Sequence, residues 1–150
     1  MKKTILFLAI GLIAITANAQ KMKESEVPAR VKAAFAKKYP AIKAAKWEME
    51  NGKYEAEFDL NKVETSVLMD VNGNITETES EIALSELPKS VSDYCKKNLL
   101  DKKINEASKI TDAEGKLTFE AEIDDADYIF DASGAFVKKV VEAKDNDDKK

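Results

Sequence analysis

The chain has 150 residues, with 24 Lys and Arg against 28 Asp and Glu, no histidine, one cysteine and a net charge of −4. An acidic balance repels phosphate backbones, which argues against nucleic acid as a partner. The single Cys95 cannot form an intrachain disulfide, and a chain without histidine lacks the usual base for a catalytic thiol.

The first segment reads as a leader. Lys2 and Lys3 precede an apolar run from Ile5 to Ile15, and Ala17-Asn18-Ala19 is a small-x-small cleavage site. This is the pattern of a secretory signal peptide over residues 1–19, cut before Gln20. The apolar run falls short of the ~20 residues needed to span a bilayer. The residue after the cleavage site is Gln20 and not a cysteine that could carry a lipid. The expectation is a periplasmic or secreted protein with no stable membrane insertion after cleavage. Its remaining residues, about 131, are one domain's worth, with 22 basic and 28 acidic side chains. Gln20 to Glu24 is a polar lead, expected to be mobile.

A first unit spans residues 25–84. Ser25 is expected to cap a helix with Pro28 in its first turn, and Val27, Val31, Ala34, Phe35 and Tyr39 form its apolar stripe. Pro40 ends it. A strand from Lys46 to Met49 leads to an Asn51-Gly52 hairpin turn. Tyr54, Ala56, Phe58 and Leu60 then alternate with Glu55, Glu57 and Asp59, which predicts a strand with one apolar and one acidic face. After Asn61-Lys62, Val63, Val67 and Met69 return on the inner face while Glu64, Ser66 and Leu68 point outward. Asn72-Gly73 turns again into a fourth strand, Ile75 to Ile82.

A second unit, residues 85–142, repeats the plan. Ser85-Glu86-Leu87-Pro88 rewrites Ser25-Glu26-Val27-Pro28 sixty residues on. Leu87, Val91, Tyr94, Cys95 and Leu99 form the helix stripe, with Cys95 in the place of Phe35 as a small core residue. Ala44 to Lys53 aligns with Ala107 to Lys116, Tyr54 to Phe58 with Phe119 to Ile123, and Met69 to Gly73 with Phe130 to Gly134. The offset moves from 60 through 63 and 65 to 61, so the pattern reads as an internal duplication with length changes in loops. Residues 143–150 form a charged tail, expected to be disordered. The predicted fold is α+β. Two tandem helix-plus-four-stranded antiparallel repeats form one continuous sheet of about eight strands, with both helices on one face and the other face open.

Chemical motifs are sparse. Asp70-Val71-Asn72-Gly73-Asn74, with Glu81 twelfth from Asp70, echoes a calcium loop, but a strand fills the interval and a hairpin turn accounts for the residues. The many carboxylates alternate along strands, which predicts solvated sheet surface and not a catalytic cleft. No phosphate loop, Ser/His/Asp set or Cys/His metal spacing occurs. No catalytic residue, metal or cofactor is expected.

The pattern Ser-Glu-(Val/Leu)-Pro, Lys37-Lys38-Tyr39-Pro40, Lys46-Trp47-Glu48, Asn51-Gly52-Lys53-Tyr54-Glu55-Ala56-Glu57-Phe58 and Asn72-Gly73-Asn74 resembles the PepSY-like, β-lactamase-inhibitor-like periplasmic proteins of Bacteroidetes. The match covers residues 25 to 141 and is looser in the second copy. It implies a secreted, non-enzymatic protein that binds through the open face of its sheet. The candidate contact residues are Trp47, Glu55, Glu57, Leu68, Glu120, Glu122 and Ile129, most of them turned away from the helices by alternation. Trp47 itself aligns with Ile110, which favours a buried strand position. The expected partner is an envelope protein or peptide. The alternative is a small-molecule or cation-binding periplasmic protein using the same acidic face.

Overall fold

The computed structural model describes residues 14–17, 19–100 and 102–142. Most of the expected leader and the whole charged tail lie outside the described residues. The elements are β1 (Ala14–Ala17), β2 (Ala19–Met22), α1 (Ala29–Lys38), β3 (Lys46–Glu50), β4 (Lys53–Leu60), β5 (Val63–Met69) and β6 (Ile75–Glu81). They continue as α2 (Lys89–Asn98), β7 (Glu106–Asp112), β8 (Leu117–Glu122), β9 (Ala126–Asp131) and β10 (Phe136–Glu142). The order of one helix and then four antiparallel strands thus occurs twice.

All strands share one sheet, ordered β1-β10-β9-β8-β7-β6-β5-β4-β3-β2. From β10 through β2 every neighbouring pair is antiparallel, and only β1 lies parallel, against β10. The seam between the two units is β6 on β7, with Glu79 across from Ile110. Two strands exceed the expected eight. The polar lead is not free: Ala19 to Met22 pairs with β3, Met22 lying across from Trp47. β1, at the end of the expected leader, covers the opposite edge.

Each helix covers its own four strands on the same face. Val27, Val31 and Phe35 pack on Trp47, Ala56, Phe58, Val67 and Met69. Leu87, Val91 and Cys95 pack on Ala107, Ala121, Ile123, Tyr128 and Phe130. Fully burying Val31 or Val91 is worth about 2 kcal/mol each. Phe35 meets Trp47 and Phe58 edge-on at 5.4 and 5.1 Å, while Tyr94 stacks on Phe136 at 4.8 Å.

The helix starts differ from the sequence expectation. Neither Ser25 nor Ser85 caps a helix; each sits in a short 3₁₀ turn, and Pro28 or Pro88 occupies the cap position. The turn itself is closed by glutamates. Glu26 accepts from the Lys23 backbone N–H at 2.7 Å and Glu86 from that of Ala83 at 2.9 Å. At the far end of α2, where the first unit has Pro40, Leu100 takes a left-handed conformation (φ 54) and stands exposed.

The hairpin turns rest on aspartates. Asp70 Oδ1 accepts from the N–H groups of Asn72 and Asn74 at 2.8 and 3.0 Å. Asp112 does the same for Glu114 and Lys116, and Asp131 for Ser133 and Ala135. These bonds favour the ionised form, and the carboxyls of Asp70 and Asp131 are held below their usual range, chiefly by the side chains of Asn74 and Ser133.

Pairing also corrects the alignment between the units. Trp47 lies across from Ala56, and Ala107 lies across from Ala121, so Ala107 takes the structural place of Trp47. Ile110, three residues further on, faces the other side. Of the extra five residues of the second unit, three fall in the Asp112–Lys116 turn, opposite the two-residue Asn51-Gly52 turn of the first, and one lengthens each flanking strand arm.

Candidate functional site

The face of the sheet away from the helices is built by period-two alternation. Positions 55 and 57 on β4, 64 and 66 on β5, 77, 79 and 81 on β6, and 118, 120 and 122 on β8 all point there. The register joins them into rows: Glu48 with Glu55, Glu57 with Ser66, Ser66 with Glu79, and Glu120 with Ile129.

This face is concave. It encloses a cavity of about 1020 Å³ reaching from β3 to β10. The N-terminal strands show how strongly the sheet bends. Ala17 pairs with Glu142 on one edge and Ala19, two residues on, pairs with Glu50 on the other. Those edges therefore approach to under ~20 Å at that corner, whereas seven flat inter-strand steps would separate β3 from β10 by ~34 Å.

Fifteen carboxylates and three lysines line the concavity. The expectation that all of these acids are solvated is overturned at the centre. Burial pushes the Glu55 carboxyl up to about 7, with Ser66 opposing the rise and Glu50, Glu79 and Glu48 adding to it. Glu79 is raised as well, first by burial, against a hydrogen bond from Ser108, and then by Glu77, Asp127 and Glu50. Glu50 is on β3 and Asp127 on β9, so acids from both wings of the sheet act on one central residue. That is the electrostatic consequence of the curvature, which no linear pattern records.

Of the seven residues singled out from the sequence, Glu55, Glu57, Glu120, Glu122 and Ile129 line the concavity. Leu68 is on the same face, between Glu55 and Glu77, but outside the lining. Trp47 does not belong with them. It is buried at 6% exposure among the helix-side residues, because its register partner Ala56 faces the core. Sequence reading missed Glu79 and Ile110; their alternation was visible, their shielding was not. Lys46 forms a salt bridge with Glu57 across β3 and β4. Among the described residues no three carboxylates converge to hold a metal ion, and no helix is long and apolar enough to cross a membrane.

The chain is an α+β protein whose open antiparallel sheet, backed by two helices, presents a concave acidic face. Solved structures share this fold. A protein of Bacteroides eggerthii described as periplasmic aligns with a TM-score of 0.65 and 18% identity over 75% of this chain and 87% of its own. A DUF2874 family protein of Bacteroides uniformis gives 0.62 at 18% identity, over 75% and 87%. A BLIP-like protein of Bacteroides fragilis gives 0.55 at 21% identity, over 82% and 91%. No protein-family model matches the sequence, and no curated protein matches it.

Proposed function

We propose that this is an exported, non-enzymatic binding module that seats a protein or peptide with basic groups on its concave sheet face. The observation that carries the reading is the single concavity lined by fifteen carboxylates and three lysines, with Glu55 and Glu79 shielded at its centre. Such a surface speeds the approach of a cationic partner and rejects anionic ones. The two units are read as tandem repeats of one PepSY-like ancestor, joined edge to edge at β6 and β7. Export rests on the leader pattern of residues 1–19, and the fold neighbour described as periplasmic supports the same location. Where the partner is an envelope enzyme, seating it would inhibit it, as the likeness to BLIP-like proteins suggests. Chemistry on the face is disfavoured because both helix N-termini lie on the other side of the sheet and the chain has no histidine.

The test is affinity capture from envelope extract at low salt, followed by reconstitution with the purified partner. A partner released by salt, and bound at least about tenfold more weakly by a Glu57→Gln, Glu79→Gln, Glu120→Gln variant, supports the reading. Binding indifferent to both salt and those changes sinks it. Saturable calcium binding with a raised Tm, and no protein partner, would favour a cation-binding role instead.

A further inference from the structure

The concave face is divided along the sheet. Over β3–β6 its lining is eight glutamates and Ser66, with no apolar side chain. Over β7–β10 the lining has seven carboxylates and two lysines, and with them Ile110, Ile129, Val137 and Val140. Ile110 and Ile129 are each 8% exposed, yet neither belongs to the two cores under the helices. They are shielded on the open face itself, without a helix over them. Val137, at the irregularity between Phe136 and Lys138 on β10, is 55% exposed, so this apolar strip ends on an open side chain. Charge keeps the strip narrow: Ile129 lies across from Lys138, and Val140 from Asp127.

A face that is acidic throughout, unrelieved by lysine over β3–β6 and partly apolar over β7–β10, complements a partner with one cationic and one apolar end. Resting on the binding role proposed above, we infer that the concave face takes an extended amphipathic segment in one orientation. The Lys/Arg-rich end lies over β3–β6 and the apolar end over β7–β10. The span fits a short segment. Seven inter-strand steps of ~4.8 Å bound the path along the face at ~34 Å, and the bend shortens it, so about ten extended residues are the most it takes. Charge sets the approach and the direction, and apolar contact at the far end adds affinity.

Three labelled decapeptides test this against the exported chain, residues 20–150, by fluorescence anisotropy. One has five lysines followed by five apolar residues, one interleaves the same ten, and one is decalysine. The block peptide is expected to bind about tenfold more tightly than its interleaved isomer. Val137→Ser, at an exposed position, lowers block-peptide affinity about threefold and leaves that of decalysine unchanged. A nitroxide on the lysine end broadens amide signals of β4–β6 and spares those of β9–β10. Equal affinity for the block and interleaved peptides, or broadening at both ends of the sheet, overturns the inference. If decalysine binds in a salt-sensitive way while the block peptide has no advantage, the orientation fails and the acidic binding face stands. If none of the three binds at low salt, both fail.

Discussion

Gly134 lies so close to Ser90 that a Cβ on the glycine would stand 2.1 Å from the serine Oγ. The same serine hydroxyl donates to the carbonyl of Ser133 at 2.7 Å, so the β9–β10 turn is clamped onto the first turn of α2. The first unit makes an equivalent contact with different atoms. A Cβ on Gly73 would meet the Ala34 Cβ at 2.8 Å and the Arg30 carbonyl at 3.0 Å, while Arg30 Nη1 donates to Asn72 Oδ1 at 3.0 Å. Both helices are thus fixed over the sheet by a turn as well as by their apolar stripes.

Gly134→Ala is expected to cost about 2–4 kcal/mol, combining a left-handed backbone with a steric clash. Gly115→Ala is the control. Its φ is also positive, +83 against +78 at Gly134, but a new Cβ meets nothing within 4 Å, so strain alone should cost about 1 kcal/mol. Urea unfolding of both variants decides the matter. Equal losses would mean that the turn does not clamp the helix.

Trp47→Ala should cost about 3–5 kcal/mol, since it empties a site enclosed by Phe35, Ala56 and the rest of the first core. It should leave affinity for a cationic peptide within about twofold, because the indole is on the helix side. A large loss of affinity in a variant that still folds would return Trp47 to the binding face.

Trp47 also shows how far the sequence could be read. Alternation within each strand placed Glu55, Glu57, Glu120, Glu122 and Ile129 on the open face, because a period of two is a local property. The alignment of Trp47 with Ile110 failed, since a shift of three residues reverses the face of every side chain after it. Pairing puts Ala107 there instead, with three of the five extra residues in the turn at Asp112 and one in each flanking strand arm. The shielding of Glu55, Glu79, Ile110 and Ile129 on the open face comes from the twist and pairing of all the strands together, and no window of sequence carries it. The serine caps misled for a simpler reason: Ser-Glu-x-Pro closes a 3₁₀ turn through its glutamate before the helix begins.

Stability should fall as pH rises from about 4.5 to about 7. Glu55 is lifted from 4.5 to about 7 in the folded chain, so over that range the native state keeps a proton that the unfolded chain has released. The penalty is absent below 4.5 and complete above 7, and amounts to about 3 kcal/mol at most. Glu79 adds in the same direction. Asp70 and Asp131 act oppositely: depressed in the fold, they contribute stability that is lost as pH falls below 3.8. The optimum should therefore lie near pH 4–5. Glu55→Gln should flatten the decline and stabilise the protein by about 1–3 kcal/mol at pH 8. An unchanged slope in that variant would show that Glu55 is solvated.

The salt bridge between Lys46 and Glu57 separates stability from binding. Its side chains are 76% and 31% exposed, and a pair this open to water contributes little to stability. Lys46→Ala should therefore shift the unfolding midpoint little. Glu57 lines the concavity, and its partner lysine competes with any incoming cation. Removing that lysine should raise affinity for a lysine-rich peptide about two- to threefold and steepen its dependence on salt. A loss of affinity in Lys46→Ala would instead place the bound cations away from Glu57, on the far half of the sheet.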